Sequence, residues 1–305
     1  MLSPVVISAI VSASCISLLS MGFTLQYLTA RFPNLAYTDI VVFSAYVALT
    51  FNLLGVNPYL ALPVGFLAGG CISVGMFRVL MVLKSRGIGP IGLMISTLGL
   101  DFVIYGFVNI LADYIAYGLK TFARQFSLQG SDFNFLGIGP GVLFVALTAA
   151  IVLGTSLHLF LTRTKMGIAM RAIVENETLA SSQGINIDRV LSVSWFLVGG
   201  LAGVAGILWP MWYTTSPLTG VEILTRILAS VVVGGLFSVY GSLFGGFLIG
   251  GIEVPLIFVL IGLVGAWVAP YRLVLPVIIT IITLVFAPTG ITGLIEKIRE
   301  GRQKR

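Results

Sequence analysis

Residues 162–189, TRTKMGIAMRAIVENETLASSQGINIDR, form a polar island between two apolar runs that are each long enough to cross a bilayer. Four basic and three acidic residues hold this stretch in water. Its inner part reads as a short helix or helix pair closed by Gly184, since glycine reaches the left-handed conformation past a helix end without steric cost. Met170, Ile173 and Val174 fall at i, i+3 and i+4 and line one apolar stripe, with Arg171 and Glu175 as polar groups at its side. Asn176 is placed to cap a second short turn running to Gln183. Asn186 or Asp188 is placed to cap the span that follows.

Around the island the chain is apolar throughout. With 58% hydrophobic residues, 9% charged residues and a mean hydropathy of +1.08, a soluble chain of 305 residues would leave large apolar areas in water, whereas a bilayer accepts them. Continuous runs in place of alternation exclude a β-barrel. The expected fold is an all-α, polytopic transmembrane bundle of 8–10 spans, broken or re-entrant segments included. Nine runs qualify: Pro4–Leu28, Asp39–Leu54, Pro58–Leu83, Pro90–Leu111, Gly141–Leu161, Val190–Trp212, Ile223–Val239, Leu243–Gly262 and Ala266–Phe286. Asp39–Leu54 and Ile223–Val239 are short for a full crossing, which is tolerated where protein or a water-filled cavity surrounds the break.

Basic residues in short loops stay cytoplasmic. An N-terminus outside and a C-terminus in the cytoplasm put 13 of the 17 Lys and Arg inside, among them the island's four and five in the tail 296–305. The whole chain, 1–305, then reads as one multi-pass transmembrane domain. It has an external loop at 112–139, a cytoplasmic loop at 162–189 and a basic tail. The N-terminal run is a retained first span, since it lacks a basic n-region. The net charge of +6 reflects topology rather than a nucleic-acid surface, although the tail can touch anionic lipid. The external loop is rich in aromatic residues (Tyr114, Tyr117, Phe122, Phe126, Phe133, Phe135) and reads either as an interfacial helix or as a docking platform.

Catalysis has no players here. Cys15 and Cys71 lie in spans with no CxxC spacing, there is one His, and nucleophile–base motifs are missing. No metal site and no cofactor bound by this chain is expected. The chain contains no Gly-Lys dipeptide and so no Walker A loop. Energy must come from another subunit or from an ion gradient. Small-residue pairs at four-residue spacing (Gly65/Gly69, Gly199/Gly203, Gly241/Gly245, Gly246/Gly250) mark close helix packing. Ionisable groups at membrane depth are costly, so Asp101 and Glu253 within spans and Asp39 and Arg226 near span ends are candidates for a translocation path, with a structural Arg–carboxylate pair as the alternative.

The order of residues resembles the permease subunits of ATP-driven branched-chain amino acid importers, of LivH type, within the binding-protein-dependent inner-membrane transport components. The resemblance rests on MGIAMRAIVENETLASSQGINIDRV, then GGLAGVAGIL, then VVVGGLFSVYGSLFGGFLIGGIE, then FAPTGITG. More loosely, Asn34-Leu-Ala-Tyr-Thr-Asp39 with SAYVAL, and ISTLGLDFVIYG, occupy the places of the family's Asn-Phe-Ala-His-Gly-Glu stretch and Ile-Gly-containing span. Tyr37-Thr38 replaces His-Gly, and Asp101 stands where a small or neutral residue is usual. The resemblance implies a translocation path formed by alternating access, for which Asn34, Asp39, Asp101, Arg226 and Glu253 are the candidate residues. It implies an ATPase-coupling element at Gly167, Met170, Arg171, Ile173, Val174, Glu175, Asn176, Gly184, Ile185 and Asn186. The implied partners are two cytoplasmic ABC ATPase subunits carrying ATP and Mg, a second, related permease chain, and an extracytoplasmic solute-binding protein. The implied cargo is a branched-chain or other small apolar amino acid. Urea or another small solute, or proton-coupled secondary transport, is the alternative.

Overall fold

In lipid a backbone must satisfy its own polar groups, and each of the nine apolar runs does so by forming helix. The computed structural model describes residues 3–135 and 139–293; the basic tail 296–305 lies outside them. The helices are α1 (Pro4–Ala30), α2 (Tyr37–Leu53), α3 (Leu62–Ser85), α4 (Pro90–Leu119), α5 (Gly141–Arg163), α6 (Lys165–Glu175), α7 (Glu177–Ser182), α8 (Ile187–Leu208), α9 (Thr219–Gly234), α10 (Val239–Val264) and α11 (Val274–Phe286). Among the described residues seven segments have the length and apolarity to cross a membrane: Pro4–Ala30, Pro58–Ser85, Pro90–Leu119, Gly141–Arg163, Ile187–Met211, Val239–Val264 and Ala266–Gly293. The chain is therefore a multi-pass, all-α membrane protein. The remaining two of the nine runs are the short ones, α2 with 17 residues and α9 with 16.

One expected boundary moves. The span that begins at Pro90 runs to Leu119, so the first third of the 112–139 segment is helix and not loop. No residue before Gly118 breaks the ladder, and Lys120 ends it in the left-handed conformation (φ 51°). Tyr114 and Tyr117 thereby sit exposed on a helix, whereas Phe126 is buried. A two-residue antiparallel pair, Asn134–Phe135 with Gly139–Pro140, precedes α5.

Two compact units emerge. One consists of residues 25–132 and 151–220. Its centre is the antiparallel pair α3 and α8, whose backbones touch: a Cβ at Gly203 would overlap the Gly65 carbonyl, and one at Gly199 the Gly69 carbonyl. The two sequence pairs at four-residue spacing are thus partners, Gly65 facing Gly203 and Gly69 facing Gly199. Gly206 opens the same face of α8 to the backbone of Val41 on α2. Flanking aromatic contacts, Phe66 with Phe196 and Phe77 with Trp195, seal the edges of the pair.

The loops of this unit segregate to two ends. At one end Tyr46 Oη donates to Ala123 O (2.8 Å), Tyr59 Oη to Asp132 Oδ1 (2.6 Å) and Leu128 N–H to Pro210 O (2.7 Å). At the other, an Arg31 guanidinium nitrogen donates to Val174 O (3.1 Å), and Lys84 pairs with Glu177 (3.4 Å). The island and the 120–132 segment therefore lie at opposite ends, as an odd number of crossings between them requires.

The other unit comprises residues 1–24, 133–150 and 221–305. Here the second pair of glycine repeats works in the same way, with Gly245 against Ser230 and Gly234 of α9, and Gly246 and Gly250 against Ser17 and Ala13 of α1. Thr292 closes the far side by donating to Gly234 O (3.0 Å).

Because the α3–α8 contact is backbone on backbone, Gly203→Val should destabilise the protein by about 3 kcal/mol, the upper part of the overpacking range. Gly99→Ala, at a helical position with nothing within 4 Å of the added Cβ, should be neutral or stabilising. Unfolding in mixed micelles checks the pair; equal stability of the two variants would contradict the packing.

Candidate coupling element and intramembrane polar residues

The island folds as two short helices whose starts, and the end of the second, are capped by its own residues. Thr164 Oγ1 accepts from Gly167 N–H (3.0 Å) at the start of α6, Asn176 Oδ1 from Leu179 N–H (3.0 Å) at α7, and Asn186 Oδ1 from Arg189 N–H (3.0 Å) at α8. At the end of α7, Gly184 takes φ +80°. Its N–H bonds to Ser181 O (2.9 Å) while Ile185 N–H reaches Ala180 O (3.2 Å), the doubly bonded glycine stop of a Schellman motif. Asn186 rather than Asp188 is the cap that joins the element to α8. One Asn186 cap therefore joins the island directly to the first turn of α8.

Burial divides the expected coupling residues. Gly167, Met170 and Ile173 are buried, and a Cβ at Gly167 would overlap Phe160 O; Val174 and Ile185 are half-buried. The apolar stripe read from the spacing is real, but it faces the protein's own helices. The exposed face carries Arg171, Glu175, Asn176, Gly184 and Asn186, together with Ile168 (52% exposed) and Leu179 (59%), which sequence reasoning did not single out. The signal for Ile168 was its place off the phase of the buried Met170–Ile173 stripe. An open groove of about 500 Å3 lies beside this face, lined by Arg78, Asp188, Arg189 and Ser192 among others.

The intramembrane candidates separate into two groups. Arg226 and Glu253 meet each other. Arg226 Nε donates to Glu253 Oε2 (2.7 Å) and Oε1 (3.0 Å), both side chains are buried, and the pair extends to the surface through Glu222 (3.8 Å) and Arg272 (2.6 Å from Glu222). A desolvated pair with several hydrogen bonds holds helices together; its charges are already matched. This is the structural alternative.

Asn34, Asp39 and Asp101 lie together in the other unit. Leu35 N–H donates to Thr97 Oγ1 (3.2 Å) across 62 residues of sequence, and one helical turn on, at the same offset, Asp39 lies beside Asp101. Thr97 and Asp101 are seven and eleven residues past Pro90, roughly 10 and 16 Å along α4 at 1.5 Å per residue. Arg31 stands at the level of the island, so the chain climbs through 32–36 without helix and α2 begins well inside the bundle. At 17 residues α2 is about 25 Å long, short of the ~30 Å hydrocarbon thickness.

The profile of the family described as branched-chain amino acid transport system / permease component matches residues 5–293. The chain belongs to that family. It is 37% identical over 287 residues to the probable branched-chain amino acid transport permease protein LivH of Methanocaldococcus jannaschii, covering 94% of this chain and 91% of the relative. It is 25% identical to the high-affinity branched-chain amino acid permease BraD of Pseudomonas aeruginosa, with 94% of each chain covered. The D-allose permease AlsC of Escherichia coli is 28% identical over 80% of this chain and 72% of its own length. Among solved structures, PsaBC from Streptococcus pneumoniae in complex with Fab shares the fold, with a TM-score of 0.53 and 15% identity over 92% of this chain and 91% of that one. The general role follows: the protein is a permease of the ABC-importer class.

Glu253→Gln should cost about 3 kcal/mol of stability by leaving a buried guanidinium without its counter-charge, and the double variant Arg226→Met, Glu253→Leu should recover most of it. Unfolding of the variants in micelles decides. A double variant as unstable as the single would contradict a purely structural pair.

Proposed function

We propose that this chain is one of two permease subunits of an ATP-driven importer for branched-chain or other small apolar amino acids, set in the plasma or inner membrane with its C-terminus in the cytoplasm. The observation that carries the reading is the island: a charged helix pair, capped at both starts and joined through the Asn186 cap to a spanning helix, that exposes Ile168, Arg171, Glu175 and Leu179 at one end of its unit. A channel has no use for such an element, and a chain without a Walker A loop needs it to receive force from two cytoplasmic ATPase subunits. Ile168 and Leu179 supply apolar contact to the ATPase, and Arg171 and Glu175 fix its orientation. Closure of the ATPase pair moves α6 and α7, α8 follows, and the α3–α8 pair carries the motion to the path shared with a second, related permease chain. An extracytoplasmic binding protein delivers the cargo.

Two other readings are separated by experiment. A different small solute is favoured by the chain's similarity to a D-allose permease and by Tyr37-Thr38 at the start of α2. Proton coupling is favoured by the placing of two carboxyl groups, Asp39 and Asp101, side by side at membrane depth. Copurification of the associated subunits, reconstitution, and uptake of labelled leucine, valine, urea and allose should show ATP-dependent uptake of the branched-chain amino acids that a protonophore does not alter at constant ATP. Accumulation driven by a pH gradient without an ATPase would overturn the importer reading.

Gly184→Val forces a β-branched residue into the left-handed region at a cost of about 1–2 kcal/mol, with no steric clash to confuse the result. The variant should insert and assemble, yet its uptake should fall at least tenfold relative to its ATP hydrolysis. Normal uptake would show that the α7 stop plays no part in coupling.

A further inference from the structure

The groove beside the island reaches into the membrane. Its mouth, of about 500 Å3, is lined by Arg78 of α3 and by Asp188, Arg189 and Ser192 of α8, and its inner wall by Val193 and Phe196. Arg78 and Arg189 are exposed, and among the described residues neither guanidinium meets a carboxylate or another hydrogen-bond acceptor. Ser192 Oγ already donates to Asp188 O (2.7 Å). Lys84 pairs with Glu177 at the level of the island, so Arg78, six residues earlier on α3, stands roughly 9 Å inside that level at 1.5 Å per residue. An arginine at that depth on an exposed helix face is costly until an anion meets it.

Deeper along α8 lies an apolar groove of about 170 Å3, between Leu157 and Phe160 of α5 and Leu197 and Leu201 of α8. Phe66 of α3 lines it and packs edge-on against Phe196, with ring centroids 5.9 Å apart, so the two grooves adjoin at this contact. Arg189 and Leu201 are twelve residues apart, roughly 18 Å along α8, against about 15 Å for one leaflet's half of the hydrocarbon. Two unpaired cations at the water boundary with an apolar hollow below them match the two ends of a phospholipid. Basic pockets between spanning helices hold anionic head groups in this way. Two arginines and one aspartate give the mouth a single net positive charge, which one phosphodiester neutralises. A soluble partner resting on the island stays at the level of Glu177 and leaves Arg78 unmatched.

We propose that the double groove holds one anionic phospholipid, its phosphate at Arg78 and Arg189 and an acyl chain along Leu197 and Leu201.

The test is native mass spectrometry of the full chain in micelles, titrated separately with dioleoyl phosphatidylglycerol, dioleoyl phosphatidylcholine and sn-glycerol 3-phosphate. Phosphatidylglycerol should bind about tenfold more tightly than phosphatidylcholine, and glycerol 3-phosphate, which has no chains, about tenfold more weakly than either lipid. In the double variant Arg78→Gln, Arg189→Gln the preference between the lipids should vanish while phosphatidylcholine binds as before. Leu197→Trp, which fills the apolar groove, should weaken both lipids and keep the preference. Lys165→Gln, at an exposed cation of the island outside the groove, should change neither. Equal binding of the two lipids by the wild type, a preference that survives loss of both arginines, or the same loss in Lys165→Gln would overturn the proposal. So would lipid binding unaffected by Leu197→Trp, or glycerol 3-phosphate bound as tightly as phosphatidylglycerol, which would mark a site for a soluble phosphate. Release of phosphatidylglycerol on adding the ATPase subunits would show that a protein covers the groove instead.

Discussion

The backbone contact of α3 with α8 is the constraint on which the larger unit depends. Helices whose glycines face each other, Gly65 with Gly203 and Gly69 with Gly199, approach more closely than any side chain would permit. That contact sets the antiparallel register, and the register puts the start of α8 beside the island and its end beside the strapped 120–132 segment. It also leaves the face of α8 around Gly206 free to receive α2. A helix held there needs no full membrane length of its own, because its first turn is surrounded by protein rather than lipid. The short α2, its buried start and the polar residues gathered there all follow from how closely two other helices pack.

The same unit ties the island to the start of α2. Three Asx and Ser/Thr caps and one Schellman stop order the island, and Asn186 belongs to both the island and α8. The Arg31 bond to Val174 O adds a second attachment, on the chain segment that climbs to α2. The island is therefore joined to α8 by one cap and to the entrance of α2 by one arginine, while the two helices share the contact at Gly206 and Val41. The buried Arg226–Glu253 pair belongs to the other unit and serves its cohesion.

Local signals were legible in the sequence. Asn176 and Gly184 act through bonds to residues three positions away, so their spacing alone foretold them, and it narrowed the cap of α8 to Asn186 or Asp188. The shortness of the second and seventh apolar runs was visible in the same way, as was the packing role of the glycine repeats. What covers a face is not a local matter: the spacing of Met170 and Ile173 shows that a stripe exists, and only the fold shows that the protein's own helices cover it. Pairings across long intervals, Asp39 with Asp101 and Arg226 with Glu253, were visible as costly charges whose partners sequence could not assign. The end of α4 was missed because polar residues at 113 and 114 suggested a loop, whereas a helix tolerates them until the left-handed turn at Lys120.

The central claim is that the exposed face of the island is where ATPase subunits push, and site-directed labelling tests it most directly. In a chain with Cys15 and Cys71 replaced by alanine, Ser181→Cys places a thiol on the exposed part of α7. The account predicts reaction with an impermeant thiol reagent from the cytoplasmic side only, and strong slowing of that reaction when the ATPase subunits are bound. Labelling from outside the cell, or an unchanged rate in the assembled complex, would contradict it.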